Sequence, residues 1–453
     1  MVEPDKPESS VQHVGRLIDD GPWSVYQKAA LLIAALAVVL DGFDNQILSL
    51  AIPTLIKDWG VTRDDFKWVL VVGFAGMAIG TPLFGMAGDR FGRRPTLMFC
   101  VALFAAVTLG IAFVGGLPPL YLLRFLGGLG LGGAMPNAAA LLAEVSPLRR
   151  RSIAVTAGIV GIPLGGTAAG FLAAALLPLY GWRALFLVGG VLPLLVAMLM
   201  LAFLPESPRF LARRPHRSKQ LAKTLRRMGR EVDPDDPIFL RVDAEKIQKV
   251  SLGTLFARGY RRDTVGLWAA MFFNLTSVYG IVNWLPAVLG EAGYAPAVTS
   301  TGLMVFNLGG VATALIAALC FSLFGSRATL LFMAAGAVLA SVGLGMTPLD
   351  PKADSTGLMV LLVLQGGFLN GVQTLMYALG AFVYATDVRA AGVGWAVGVG
   401  RLGAIVSPLI GAALLARLGF SGFFLGIALT MALSFVSITL VTRHVPRTAA
   451  ARP

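Results

Sequence analysis

Leu31–Pro53 reads Leu-Leu-Ile-Ala-Ala-Leu-Ala-Val-Val-Leu-Asp41-Gly-Phe-Asp44-Asn-Gln-Ile-Leu-Ser-Leu-Ala-Ile-Pro. A run of ~20 mostly apolar residues is long enough to cross the hydrocarbon core of a bilayer as a helix. Two carboxylates inside such a run are costly. An aspartate near the bilayer centre costs roughly 2.5–3.5 kcal/mol on translocon scales, so it faces a bundle interior or a water-filled path. Spacing i, i+3 puts Asp41 and Asp44 on one face of the helix. A proton or ion site is the reading this pair favours.

The same ruler, moved along the chain, finds about twelve candidate spans. They fall near 28–52, 66–87, 95–115, 119–143, 152–177, 183–204, 263–288, 298–323, 327–347, 357–383, 390–416 and 420–442. The composition agrees. Of 453 residues, 56% are hydrophobic and 13% charged, against about 25% charged in soluble domains. Mean hydropathy is +0.77. The 54 glycines suit closely packed membrane helices. The net charge of +13 would suit a nucleic-acid partner if it sat on one soluble domain. The basic residues instead cluster between apolar spans, so no nucleic-acid partner is expected. Cys100 and Cys320 fall inside spans and imply no disulfide framework.

Charge asymmetry orients the chain. With the N-terminus inside, the inner loops hold Arg90, Arg93 and Arg94, then Arg149, Arg150 and Arg151. The inner side also takes the central segment from Arg213 to Arg230, and Arg443 and Arg447 of the tail. The outer loops hold Lys57, Arg63, Lys67, Arg183, Lys352, Arg417 and little else. Both termini are therefore expected in the cytoplasm. The first residues lack the basic start and short apolar core of a cleavable signal peptide. The expected organisation is a tail 1–27, a six-helix half 28–204, a central cytoplasmic loop 205–262, a second six-helix half 263–443 and a tail 444–453. Within the central loop, Ser-Lys-Gln-Leu-Ala-Lys-Thr-Leu-Arg-Arg-Met-Gly reads as helix with Pro234–Pro237 as its stop. Otherwise the loop reads as a solvated linker that also anchors to anionic lipid. Two halves of equal span count suggest a parallel repeat, with substrate held near the midplane between them.

After the second span the chain reads Gly85-Met-Ala-Gly-Asp89-Arg90-Phe-Gly92-Arg93-Arg94. Glycines permit the tight turn, Asp89 can cap a helix or pair with a basic group, and the arginines add inner charge. This loop resembles the signature of the major facilitator superfamily. The resemblance implies an all-α polytopic membrane protein of about twelve transmembrane helices in two six-helix halves. It also implies that Asp89 belongs to a conformational latch on the cytoplasmic side. The corresponding loop of the second half, Phe321-Ser322-Leu-Phe-Gly325-Ser-Arg327, lacks the aspartate, which makes an asymmetric latch the expectation.

The fourth span, Tyr121-Leu-Leu-Arg124-Phe-Leu-Gly127-Gly128-Leu-Gly130-Leu-Gly132-Gly133-Ala-Met-Pro136-Asn137, resembles that superfamily's arginine-and-glycine motif. Helical rise puts Arg124 roughly 8 Å, and Asp44 about 13 Å, below the outer boundary. Arg124 can therefore pair with Asp44 or Asp41, or snorkel outward. Glu144, just before Arg149–Arg151, either joins the Asp89 latch, together with Arg149, or is a plain boundary carboxylate. The fifth-span run Gly158-Ile-Val-Gly161-Ile-Pro163-Leu-Gly165-Gly166 loosely resembles a motif of proton-linked antiporters and reads more simply as a packing kink.

Arg401 lies ~10 residues from either end of the eleventh span, so about 15 Å deep, where snorkelling is poor. Its fork wants a carboxylate, supplied either by an anionic substrate or by Asp41 or Asp44. Asn370, Gln373 and Tyr377 share one face of the tenth span. Asn274, Ser277, Tyr279, Asn283 and Trp284 mark the seventh. Such groups often only glue membrane helices, and Trp284 suits an aromatic belt. Together with aromatic rings they also suit a planar, hydroxylated ligand.

Several segments narrow the likeness to the aromatic acid:proton symporter family. They are Asp41-Gly-Phe-Asp44, Gly85–Arg94, Asn283-Trp284-Leu-Pro286, Val393-Gly394-Trp395-Ala and Gly400-Arg401-Leu-Gly403. Leu204-Pro-Glu206-Ser-Pro208-Arg209-Phe resembles a sixth-span exit that this family shares with sugar porters. Tyr384-Ala385 departs from the expected Tyr-Pro. The resemblance implies proton-driven uptake of benzoates or hydroxybenzoates across a bacterial inner membrane by a functional monomer. Asp41, Asp44 and Arg124 would serve proton coupling, and Arg401, Asn370, Gln373, Tyr377, Asn274, Asn283 and Trp284 the substrate. Gly85, Asp89, Arg90, Arg93, Arg94, Glu144 and Arg149 would form the cytoplasmic gate. The expected partners are protons, a small anionic substrate and the lipid bilayer. Other organic acids, dicarboxylates or proton-linked efflux are the alternatives. No nucleophile–base set, metal cluster or phosphate loop marks the soluble parts, so neither an enzyme nor a cofactor is expected.

Overall fold

The computed structural model describes residues 10–230, 232, 252–257, 259–385 and 388–445. The expected helix stop at Pro234–Pro237 and the tail residue Arg447 lie outside them. The described residues form helices and no strand. A short α1 (Ser10–Asp19) precedes α2 (Val25–Trp59), α3 (Arg63–Phe91), α4 (Arg93–Ile111), α5 (Leu117–Val145) and α6 (Leu148–Phe203). A cap follows, with α7 (Pro208–Ala212), a 3-10 turn (Pro215–Arg217), α8 (Ser218–Arg227) and α9 (Leu252–Leu255). Then come α10 (Arg261–Glu291), α11 (Pro296–Phe324), α12 (Ser326–Met346), α13 (Thr356–Val383) and α14 (Arg389–Leu440).

Ten of these helices are long and apolar enough to cross a membrane. α2 through α6 pack mainly among themselves, and so do α10 through α14. Between the two sets, α2 lies on α10, α6 on α11 and α3 on α14.

Local chemistry sets the helix ends. Ser24 and Gln27 form a capping box at the start of α2: the Ser24 hydroxyl accepts from the Gln27 N–H at 3.2 Å, and the Gln27 amide accepts from the Ser24 N–H at 2.9 Å. α2 runs through Pro53, where the apolar run was expected to end, and stops at Gly60, whose left-handed backbone (φ 63°) terminates it. Its 35 residues extend about 52 Å.

Where loops were expected between the fifth and sixth spans and between the eleventh and twelfth, each helix is instead interrupted by a single non-helical residue. α6 breaks at Gly181 (φ 70°, ψ −176°) and α14 at Gly419 (φ 63°, ψ −160°). Positive φ is open to glycine without steric cost, so one residue turns the chain.

The described residues of the tail and of the first part of the central segment pack together rather than lying free in solvent. Val14 and Ile18 of α1 bury against Phe210, Leu211, Leu221 and Leu225 in an apolar cluster of their own. Asp19 pairs with Arg151 and lies 3.7 Å from Arg209, fastening this cap beneath α5 and α6. α8 occupies the segment expected to be helical and turns Lys219, Lys223, Arg226 and Arg227 to solvent.

Candidate functional site

α2 holds both aspartates of the first span in the interior. Asp44 is fully buried and Asp41 is 4% exposed. The Thr108 hydroxyl on α4 donates to one oxygen of Asp44. Arg124 on α5 brings Nη1 to 3.5 Å from the other. Of the alternatives open to Arg124, the structure forms the pair with Asp44. The guanidinium also lies 5.9 Å from the Phe186 ring centroid, a further anchor for a buried cation. Asp41 is left differently: its Oδ1 is buried with no hydrogen-bond partner among the described residues.

Arg401 on α14 faces the same interior. Its Nη1 is buried and without a hydrogen-bond partner among the described residues. Asp41 and Arg401 line one cavity of about 620 Å³, with Phe74, Met77, Leu131 and Met135 among its apolar walls. A second cavity of about 670 Å³ overlaps it and is lined by Asn45, Gln46, Asn307, Asn370, Gln373 and Thr374 among others. Gln373 and Tyr377 line both, as does Tyr279, so the two are ends of one tract. Buried charge is expensive unless paired, and an unpaired donor beside a cavity is a place for an anion.

The structure brings Asp41, Arg401, Asn370, Gln373 and Tyr377 to this tract. It takes Asn274 and Trp284 elsewhere. The Asn274 amide donates to the Leu369 carbonyl at 3.2 Å, tying α10 to α13, and the Trp284 indole donates to the Pro408 carbonyl at 3.2 Å. Both are wholly buried packing groups. Asn283 accepts from Ser49 at 3.5 Å and lines a smaller cavity of about 340 Å³ beside Arg124.

Thr108, Asn45, Gln46 and Asn307 escaped the sequence reading. Gln46 and Asn307 bond reciprocally at 3.1 and 2.8 Å, joining α2 to α11. Their signal was present in kind: an amide inside an apolar run is as conspicuous as an aspartate there.

At the other end of α2, Arg93 is the hub. It pairs with Asp89, lies 4.0 Å from Glu144, and reaches the Gly85 carbonyl and the Asn137 side chain, each at 3.4 Å. The Ser207 hydroxyl donates to Glu144. Glu206, which sequence reading left out of the gate, accepts the backbone N–H groups of Arg93, Arg94 and Ser207 at 3.0, 3.1 and 2.8 Å. Burial raises its pKa above the ordinary glutamate value, against those hydrogen bonds and Arg94, which lower it. The Arg94 side chain donates to the Leu201 carbonyl at 2.6 Å. Arg90 is exposed and takes part through its carbonyl, which accepts from Arg214 at 2.5 Å. Arg149 is exposed with no side-chain partner among the described residues. Arg151 holds the neighbouring position in the cluster through the Ala143 carbonyl and Asp19.

The polar contacts that bridge the two helix sets lie toward the opposite end. Besides Gln46–Asn307 and Ser49–Asn283, Arg63 on α3 meets Glu291 on α10 at 2.6 Å. Phe74 and Tyr279 stack edge-on between the sets with centroids 4.9 Å apart.

Two sets of apolar helices enclosing a charged cavity suit a multi-pass membrane transporter. The chain belongs to the Major Facilitator Superfamily, whose family model matches residues 34–358. It is 36% identical over 405 residues to the 4-hydroxybenzoate transporter PcaK of Acinetobacter baylyi, covering 88% of this chain and 87% of that one. It is 36% identical over 401 residues to a gallate transporter of Pseudomonas putida, covering 88% of each. Its fold is similar to the inward open conformation of the xylose transporter XylE from E. coli, with a TM-score of 0.73 at 18% identity over 94% of this chain and 98% of that one.

Proposed function

We propose that this chain carries aromatic carboxylates into the cell together with protons, by alternating access. The observation that carries the reading is the buried, unpaired Nη1 of Arg401 facing Asp41 across a cavity walled by apolar and uncharged polar groups. A guanidinium fork binds a carboxylate in two parallel hydrogen bonds. Relatives named for 4-hydroxybenzoate and gallate transport support an aromatic acid as the cargo.

In this mechanism a proton reaches Asp41 and the substrate carboxylate meets Arg401. Neutralising both charges lowers the cost of enclosing them in a dry site. The helix sets then rock about the midplane. Asp44, held by Arg124 and Thr108, keeps the buried arginine compensated while this occurs. The Asp89–Arg93–Glu144 cluster clasps the cytoplasmic side of the N-terminal set and acts as its gate.

Reading α6 and α14 as two crossings each, on either side of Gly181 and Gly419, makes twelve spans in two six-helix halves. The arginine-rich end then lies in the cytoplasm with both termini, as the positive-inside rule requires in a bacterial inner membrane. One chain encloses its own cavity, which supports a functional monomer.

The test is uptake of radiolabelled 4-hydroxybenzoate into energised vesicles, with and without an imposed inward proton gradient. Gradient-dependent accumulation is expected. No uptake in either condition, with the protein present in the membrane, overturns the reading and points to other organic acids or to efflux.

A further inference from the structure

The cavity tract is chemically two-ended. Arg401 and Asp41 line one end only. Asn370, Thr374 and the Gln46–Asn307 pair line the other end only, where no charged side chain appears among the lining residues. Gln373 and Tyr377 lie where the two ends meet. Asn370 is one turn before Gln373 on α13, about 4.5 Å along the helix axis, and lines only the end without Arg401.

The hydrogen-bonding state of these amides is specific. Gln46 and Asn307 bond to each other, and the second Asn307 N–H goes to the Leu303 carbonyl at 2.8 Å. They close the tract without competing for a ligand. Asn370 spends its Nδ2 on the Gly366 carbonyl at 2.9 Å, which turns its Oδ1 into a free acceptor. The Gln373 amide and the Tyr377 hydroxyl have no hydrogen-bond partner among the described residues. A free acceptor beside an amide that can donate and accept matches a phenolic hydroxyl, which does both. A carboxylate at this end would meet no cation.

Resting on the aromatic-acid reading above, we propose that Asn370 and Gln373 read a ring hydroxyl at the end of the substrate remote from its carboxylate. The site then selects hydroxyls opposite the carboxylate, and gains nothing from one beside it. An ortho hydroxyl stays at the Arg401 end, out of reach of Asn370. A site built to bond a hydroxyl disfavours the analogue lacking it, because its own polar groups are left unpaired.

Isothermal titration of the purified full chain in lipid nanodiscs with 4-hydroxybenzoate, benzoate and 2-hydroxybenzoate tests this. The wild type should bind 4-hydroxybenzoate at least about tenfold more tightly than either of the others. Gln373→Leu and Asn370→Leu should each lose about ten times more affinity for 4-hydroxybenzoate than for benzoate, compressing the ratio toward one. Wild-type affinities that are equal for the three acids overturn the proposal without any variant. So does an equal loss for all three in both variants, or a ratio that survives them. If a well-folded wild type binds none of the three, the aromatic-acid reading falls and takes this inference with it. If it binds all three without discrimination, only this inference falls.

Discussion

Arg124 Nη1 stands 3.5 Å from Asp44 Oδ2 in the interior of the N-terminal helix set, while Asp41, one turn earlier on α2, has no cation bonded to it among the described residues. Two aspartates that look equivalent in sequence therefore sit in unequal surroundings. In the mechanism proposed above, Asp44 holds Arg124 in place and Asp41 is left to take the proton.

Removing the structural partner should cost stability. Asp44→Asn leaves the Arg124 guanidinium buried and uncompensated, and breaking one side of a buried pair typically costs about 3–5 kcal/mol. The melting temperature of the purified protein should fall clearly. Asp44→Asn combined with Arg124→Gln should recover part of the loss, because the orphaned charge is gone. A double variant no more stable than the single would refute the pairing as the source.

Asp41→Asn should separate exchange from accumulation. Counterflow of labelled against unlabelled substrate needs no net proton movement and should persist. Accumulation driven by an imposed proton gradient should be lost. Normal concentrative uptake by this variant would remove Asp41 from the coupling step.

Arg401→Gln should weaken substrate binding by roughly 30-fold or more, the scale on which losing one member of a buried charge pair costs 2–5 kcal/mol. Arg401→Lys should recover only a fraction, since an ammonium cannot present the planar fork. Equal affinities for the arginine and glutamine forms, measured by equilibrium binding, would place the carboxylate elsewhere.

The Glu206 joint should make stability depend on pH. Burial raises this carboxyl above the ordinary glutamate value, so the folded protein holds the proton where the unfolded chain has released it. Its stabilising contribution is complete below the ordinary value and is lost as pH rises through the raised one. Glu206→Gln should flatten that part of the melting-temperature profile while keeping an acceptor for the N–H groups of Arg93 and Arg94. An unchanged slope in the variant would assign the pH dependence to another group.

Sequence alone exposed the charges and missed the amides' partners. Asp41, Asp44, Arg124 and Arg401 stood out because each interrupts an apolar run, where a charge without a use is too costly to keep. Which aspartate meets Arg124 depends on the rotation of α2 against α5, and depth along a helix does not report rotation. Asn274 and Trp284 are amide and aromatic groups in apolar spans like Gln373 and Tyr377, yet they point to the Leu369 and Pro408 carbonyls instead of the cavity. The Gln46–Asn307 bond joins residues on distant spans, a pairing no local pattern encodes. Residues 1–27 read as a tail because they are polar and precede the first apolar span. Only the apolar faces of α7 and α8, brought back by the chain, give Val14 and Ile18 something to cover.

The reversals at Gly181 and Gly419 leave no spare chain on which to hang a reporter. Each has open space around its Cα and a positive φ, so a substitution meets no neighbour and still strains the backbone. An epitope or fluorescent domain inserted there would push apart two helical arms joined by one residue. The stretch Pro351–Asp354 between α12 and α13 is exposed and already irregular. A label inserted there lengthens an existing exposed connection instead of wedging apart a helix junction.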